Sequence, residues 1–196
     1  MEKRLLITGF EPFGGERVNP SWQAVAALPE QVGGYALYKR EIPVVFGAAA
    51  REVLALAEEI RPQVILCVGQ AGGRSEVTPE RFGVNLRDAR IPDNAGNQPR
   101  EEPVVKGAPA AYFATVPVRA MAEAIQRAGL PGAVSNTAGT YVCNDLLYTL
   151  LHRFHGTDVR AGFLHVPYLP QQGTPAMPLE DVIRALAAAI EACGAE

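Results

Sequence analysis

Short runs of apolar and β-branched residues alternate along the chain with longer stretches in which apolar residues recur at helical spacing. This alternation is typical of a sheet flanked by helices. The strand 63–69 is apolar throughout, as parallel strands are when both of their faces are buried. We predict strands at 4–10, 35–44, 63–69, 132–137 and 160–167, and helices at 20–29, 46–60, 117–128, 178–194 and in a segment after Cys143.

A long irregular segment interrupts this pattern between Gln70 and about Thr115. It is too long for an ordinary connection, so we expect it to be functional or to contain extra small strands, such as residues 81–90. The whole pattern predicts one domain over residues 1–196, a three-layer α/β/α arrangement with a mostly parallel, twisted central sheet. Sites in such sheets gather at the carboxyl ends of the strands, where the motifs GFEPFGG, GQAGGR, VCND and HVPY lie.

Composition and charge narrow the classes of function. Of the 196 residues 48% are hydrophobic and 20% are charged, and 18 basic against 21 acidic residues leave a net charge of −3. This balance gives no electrostatic reason to expect nucleic acid or an anionic membrane as a partner. The start of the chain has too few apolar residues for a signal peptide, and no run approaches the roughly 18 that span a bilayer. We therefore expect a cytoplasmic protein with a small, neutral partner and free thiols.

Cys143 has the most informative position of the three cysteines. It precedes Asn144 and Asp145, two residues that favour helix caps, and a helix N-terminus would stabilise the thiolate form that attacks carbonyl groups. A small apolar side chain at a strand-to-helix junction is the structural alternative, and position alone leaves both open. Cys67 lies inside an apolar strand and is expected to be structural, and we assign no chemistry to Cys193.

A nucleophilic cysteine needs a base, and histidine is the usual one. His152 follows Cys143 by nine positions, about 13 Å along a helix, which is too far for a direct pair. His152 and His155 are better explained as cations near a helix C-terminus, since the sequence offers no third ligand for a metal on that turn. His165 lies at the end of an apolar strand, where a histidine is either packed in the core or part of a site.

The third member of such a triad is a carboxylate, and physical reasoning alone does not choose it. The irregular segment supplies Glu76, Glu80, Asp88 and Asp93. The two glycine-rich loops lack the residues that carry the nucleotide-binding mechanisms. The first loop instead offers two phenylalanines, either as core aromatics or as a clamp for a flat, neutral ligand.

Six motifs together resemble the pyroglutamyl-peptidase I family, also called pyrrolidone-carboxylate peptidases, which are cysteine peptidases that remove an N-terminal 5-oxoproline. The motifs are ITGFEPFGG, NPSW, GQAGGR, TPERFGVNLRDARIPDN, SNTAGTYVCND and GFLHVPY, in the family's order and nearly from end to end. The resemblance implies Cys143 as nucleophile, His165 as general base and then acid, and Glu80 as the residue that orients the histidine. It also implies an α/β/α fold, no metal or cofactor, and a homotetramer, with Cys193 as a candidate link between subunits.

The same resemblance implies a substrate pocket for pyroglutamyl peptides. Phe10 and Phe13 would hold the oxoproline ring, Gln70 would bond its lactam, and Arg90 would lie near the reacting carbonyl. Other positions would line or support the pocket: Asn19, Ile91, Tyr141 and Val142. Two other functions share the fold class, namely an enzyme that acts on a nucleoside or another neutral ring, and a binding protein whose triad is idle.

Overall fold

The centre of the fold is one main sheet between two layers of helices, seen in a computed structural model that describes residues 2–194. Within these residues the main sheet has six strands: β1 (Lys3–Phe10), β2 (Gln31–Val32), β3 (Tyr35–Ile42), β4 (Val64–Gln70), β5 (Thr78–Pro79) and β8 (Arg160–Val166). Two further strands pair as an antiparallel ribbon: β6 (Phe82–Val84) and β7 (Ala111–Phe113). The predicted domain of residues 1–196 extends beyond the described residues at position 1 and at 195–196.

The main sheet has the order β2-β3-β1-β4-β8-β5. Strands β3, β1, β4 and β8 are parallel, whereas the short edge strands β2 and β5 run antiparallel to their neighbours. The prediction of a mostly parallel sheet is therefore confirmed. The carboxyl ends of β1, β4 and β8 consequently lie side by side at one edge of the sheet.

Five helices cover the two faces of the sheet over residues 2–194: α1 (Pro20–Ala27), α2 (Ala48–Ile60), α3 (Val118–Arg127), α4 (Val142–Arg153) and α5 (Leu179–Gly194). Alternate residues of β1 point to opposite layers, as a strand requires. Leu5 and Ile7 pack with α1, α3 and α5, while Leu6 and Phe10 pack with α2 and α4. This alternation confirms the predicted three-layer arrangement.

Two predicted strands differ from the structure. Residues 132–137 form only isolated bridges, Val77 with Gly132 and Glu80 with Ser135. The hydrogen bonds on either side follow a parallel ladder, but Pro79 lies between the bridges and has no N–H to continue it. The strand predicted at 81–90 is also too long, because only Phe82–Val84 pairs, with β7.

Candidate active site

The candidate site lies at the carboxyl edge of the parallel strands, where β4 and β8 meet the N-terminus of α4. His165 is the penultimate residue of β8, and β5 pairs antiparallel with it through Thr78. That pairing brings Glu80, two residues further on, beside the imidazole. Glu80 is fully buried, and its Oε1 lies 2.7 Å from Nδ1 of His165. Because a carboxylate only accepts, Nδ1 carries the proton and Nε2 is left as the basic nitrogen.

Arg74 binds the same carboxylate oxygen as His165. Its Nη1 donates to Oε1 of Glu80 at 2.6 Å and to Oγ1 of Thr78 at 2.5 Å, and its Nη2 donates to the carbonyl of Thr137. Burial alone would raise the pKa of Glu80, but the hydrogen bond and charge of His165, the Ser135 hydroxyl and Arg74 together hold it below its ordinary value. The carboxylate is therefore ionised. Arg74 was not among the predicted site residues, although it belongs to the GQAGGR motif.

Cys143 is the second residue of α4, after Tyr141 as the N-cap and Val142 as the first helical residue. A β-carbon built on Gly69 would lie 3.0 Å from its Sγ, and Gly69 is the register partner of His165 in the β4–β8 ladder. The His165 ring also packs near Phe163, with centroids 4.8 Å apart, and the Phe163 ring borders Gly69 as well. The structure thus brings Cys143, His165 and Glu80 to one place on one face of the sheet.

The ionisation of the thiol differs from the expectation. Burial raises the pKa of Cys143 to about 12, the negative charge of Glu80 and the nearby Cys67 contribute to this rise, and Arg74 and the backbone N–H of Cys143 oppose it. Burial thus outweighs the stabilisation of the thiolate that we expect from the helix N-terminus. Burial also lowers the pKa of His165, against the raising effect of Glu80. Both shifts favour a neutral thiol and a neutral imidazole.

A narrow cavity adjoins the thiol, and we name it the ring pocket. Its volume is about 220 Å³, including space that is open to solvent. Its lining is mainly apolar, with two amides: Phe10, Phe13, Asn19, Val44, Gln70, Tyr141, Val142 and Cys143. Six of the eight residues predicted for the substrate pocket lie here. Val44 was missed, although its position just beyond β3, at the same edge of the sheet, could have pointed to it.

The aromatic walls of the ring pocket differ in exposure. Phe10 is buried and packs on Phe163, with ring centroids 6.3 Å apart, so it serves both the core and the pocket. Phe13 is half-buried and lies 6.1 Å from Tyr141, measured between ring centroids. The Tyr141 hydroxyl donates to the carbonyl of Pro92 at 3.0 Å. Both alternatives that the sequence left open for the phenylalanines, packing and clamping, therefore fit Phe10.

Arg90 and Ile91 lie outside the ring pocket. They line a second, wider opening of about 890 Å³, which we name the outer cleft, together with Asp88 and Thr140. Both are exposed, Ile91 to 46%. The outer cleft shares Phe13 and Tyr141 with the ring pocket, so the two openings adjoin each other.

Asn144 and Asp145, predicted as helix caps, have tertiary roles instead. Asn144 exchanges two hydrogen bonds with the backbone of Val84 in β6. Asp145 is buried, forms an ion pair with Arg87 at 2.5 Å and accepts from the N–H of Gly47. These contacts tie α4 to the segment that leads into the outer cleft.

The remaining thiols, Cys67 and Cys193, are buried in the core, and His152 lies at the far end of α4 from Cys143. Cys67 is buried, and burial raises its pKa to about 12. Cys193 is fully buried, so it does not present a thiol for a link to another subunit. His152 is in the last turn of α4 and bonds the Tyr112 hydroxyl.

Among residues 2–194 no cluster of three or more histidine, cysteine or acidic side chains could hold a metal. Over the same residues, no helix has the length and apolar character to cross a membrane.

Comparisons with known proteins show one family of peptidases. The family model described as pyroglutamyl peptidase matches residues 3–196. A pyrrolidone-carboxylate peptidase of Escherichia fergusonii is 50% identical, over 96% of this chain and 91% of that protein, and one of Yersinia pestis is 47% identical over the same shares.

Solved structures agree in fold as well. The pyroglutamyl peptidase I of Bacillus amyloliquefaciens superposes with a TM-score of 0.96 at 43% identity, covering 100% of this chain and 97% of that one. The pyrrolidone carboxyl peptidase of Thermococcus litoralis gives a TM-score of 0.92 at 41% identity, covering 97% and 93%.

Proposed function

The chain belongs to the pyroglutamyl peptidase family of cysteine peptidases, and on that premise we propose that it hydrolyses the amide bond after an N-terminal pyroglutamyl residue through a triad of Cys143, His165 and Glu80. The observation that carries this proposal is the contact between Oε1 of Glu80 and Nδ1 of His165, beside a Cys143 sulfur that lies against Gly69, the register partner of His165. A histidine held in this tautomer has one basic nitrogen, and the thiol is the acid it would deprotonate.

The first half of the reaction forms a thioester. As Sγ of Cys143 attacks the pyroglutamyl carbonyl carbon, Nε2 of His165 takes the thiol proton, and Glu80 stabilises the resulting imidazolium. Free backbone N–H groups in the first turn of α4 would stabilise the oxyanion. His165 then gives its proton to the leaving nitrogen, which departs as the free amino group of the shortened peptide.

The second half of the reaction restores the enzyme. Water replaces the peptide, His165 takes a proton from it, and the hydroxide attacks the thioester carbonyl. The C–S bond breaks, the thiolate recovers its proton from the imidazolium, and free 5-oxoproline leaves. No metal or other cofactor is needed for any of these steps.

The lining of the ring pocket supports a neutral ring as the substrate. A pyroglutamyl residue has no charged amine, because its nitrogen is tied into the lactam. An ordinary N-terminus would bring an ammonium group among Phe10, Phe13 and Val142, where no carboxylate lines the pocket within the described residues. Burying that charge without a partner costs several kcal/mol, which would exclude ordinary N-termini.

We further propose that the protein works in the cytoplasm and as a homotetramer. The cysteines of the described residues form no disulfide with one another, which suits a reducing compartment. The exposed ring of Phe113 and the side chain of Ile91 offer apolar surface for association. Light scattering of the purified protein measures its mass, and a monomer at micromolar concentration would contradict the tetramer.

Fluorophore release tests the proposed activity. We expect the wild-type protein, under reducing conditions, to release aminomethylcoumarin from its pyroglutamyl amide and not from its prolyl amide. The Cys143→Ser variant should lose nearly all of this activity, because triad members act as a unit. Release that persists in Cys143→Ser, or equal release from both amides, would overturn the proposal.

A further inference from the structure

The ring pocket contains two amide side chains, Asn19 and Gln70, in an otherwise mostly apolar lining. An amide presents either a donor NH2 or an acceptor oxygen, depending on which way it is turned. The orientation of these two groups therefore decides what kind of polar atom the pocket accepts. Neighbouring backbone groups fix that orientation, because a backbone N–H can only donate and a carbonyl can only accept.

Asn19 is oriented by α1, which it caps. Its Oδ1 accepts from the backbone N–H of Ser21 at 3.1 Å, and its Nδ2 donates to the carbonyl of Glu11 at 3.0 Å. The oxygen of Asn19 is thus turned toward the helix. The second N–H of the Asn19 amide nitrogen can therefore only donate a hydrogen bond.

Gln70 is oriented by Gln172, which lies in the loop after β8. The backbone N–H of Leu169 donates to Oε1 of Gln172 at 3.0 Å, so the NH2 of Gln172 must point the other way. There it approaches the carbonyl of Val18 at 3.4 Å and donates to Oε1 of Gln70 at 2.9 Å. Because Gln172 supplies the donor, Gln70 must supply the acceptor.

The contact with Gln172 leaves the nitrogen of the Gln70 amide, Nε2, for the ring pocket. With Oε1 held by Gln172, its Nε2 has no hydrogen-bond partner within the described range 2–194, although Gln70 lines the ring pocket. An N–H donor left without an acceptor costs free energy when a ligand excludes water from it. A ring with a carbonyl oxygen satisfies this donor, and a plain cyclopentyl or prolyl ring does not.

We propose that Gln172 is a positioning residue that holds the amide of Gln70 with its NH2 toward the ring pocket, and thereby makes the pocket select a ring that carries a carbonyl oxygen. The substrate part of this inference rests on the proposed function, in which the ring is 5-oxoproline. Gln172 itself does not line the ring pocket, so its effect passes through Gln70.

The test replaces Gln172 with glutamate and uses Gln171→Glu as the matched control. In Gln172→Glu the new carboxylate would still accept from Leu169, but its second oxygen would face Oε1 of Gln70, so Gln70 would turn over and present its oxygen to the pocket. Gln171 is the preceding residue in the same loop and is exposed, so its change adds the same charge without this contact. Gln172→Met, which has no donor, is a second variant in case the glutamate impairs folding.

Protection of Cys143 from iodoacetamide measures ring binding without requiring turnover, since Cys67 and Cys193 are buried. We expect 2-pyrrolidone to protect the wild type, and Gln172→Glu to need about ten-fold more of it. Gln172→Met should need a few-fold more, and Gln171→Glu should match the wild type. Cyclopentane, which has no hydrogen-bonding atom, should protect all four proteins equally weakly. In turnover of the pyroglutamyl amide, KM should rise in parallel with kcat unchanged.

Two outcomes would overturn the inference. One is equal protection by 2-pyrrolidone in Gln172→Glu, Gln172→Met and Gln171→Glu. The other is a wild-type protein that 2-pyrrolidone does not protect. Failure of the proposed function has a different signature, which is protection by 2-pyrrolidone with no release of fluorophore from the pyroglutamyl amide.

Discussion

Adding one methyl group at Gly69 should displace the sulfur of Cys143, the proposed nucleophile, without removing the thiol. An alanine β-carbon at this position would lie 3.0 Å from Sγ of Cys143 and 2.8 Å from the Phe163 ring. The backbone of Gly69 is not in the left-handed region, so alanine itself is not strained there. The effect of Gly69→Ala is therefore steric.

The magnitude follows from the distances. Non-bonded atoms prefer separations of about 3.5 to 4.0 Å, so the sulfur must retreat by roughly 0.5 to 1 Å. A displacement of about 1 Å at a reacting atom costs on the order of 100-fold in rate. Overpacking against the Phe163 ring should also lower the free energy of unfolding by about 1 to 3 kcal/mol.

The assay is steady-state release of aminomethylcoumarin from its pyroglutamyl amide, with urea unfolding in parallel. We expect kcat to fall about 100-fold with a much smaller change in KM, because Gly69 does not line the ring pocket. Gly162→Ala is the control, since its methyl group would overlap Val116 on the opposite face of β8. It should lower stability but leave kcat of the folded protein unchanged. Wild-type kcat in Gly69→Ala would refute the placement of the sulfur against this ladder.

Three further predictions concern ionisation and stability. Glu80→Gln should lower kcat/KM by roughly a thousand-fold, because the tautomer of His165 is no longer specified. The acid limb of its pH–rate profile should also move to lower pH, because the Glu80 carboxylate raises the pKa of His165. Profiles of the wild type and the variant check both effects. Since burial raises the pKa of Cys143 to about 12, the rate of iodoacetamide alkylation should keep rising well above neutral pH, and a plateau near neutrality would show a resting thiolate. Arg87→Met should lower the free energy of unfolding by roughly 3 kcal/mol, because it leaves the buried Asp145 without its cation; adding Asp145→Asn should restore part of the loss in urea unfolding.

The layered fold was predictable because its strands and helices differ in local pattern. The apolar run of β4 and the helical spacing of α2 carry that information within a few residues. The strand at 132–137 was wrong for a reason outside its own sequence, because Pro79 in the neighbouring segment interrupts the ladder. Local apolar character indicates that a segment can form a strand, but not whether the neighbouring segment can complete the hydrogen-bond ladder.

From the residues alone, the site was predictable only where a side chain has reactive chemistry of its own, such as a thiol or an imidazole. Cys143 and His165 stood out as a thiol and an imidazole at junctions of the predicted sheet, whereas the choice of Glu80 among four carboxylates came from the family resemblance. Gln172 could not be found locally, because its partner Gln70 is 102 positions away. Asn144 resembled a cap by residue type, but its amide bonds β6 instead.

The central claim is that Cys143 carries the pyroglutamyl group during turnover. The most direct measurement is rapid acid quenching of the protein with the 4-nitrophenyl ester of pyroglutamate, followed by mass spectrometry of its peptides. We expect a burst of nitrophenolate equal to the enzyme concentration, and the mass of one pyroglutamyl group added to the peptide that contains Cys143. Turnover without an adduct, or an adduct on a peptide containing another residue such as Cys67, would contradict the account.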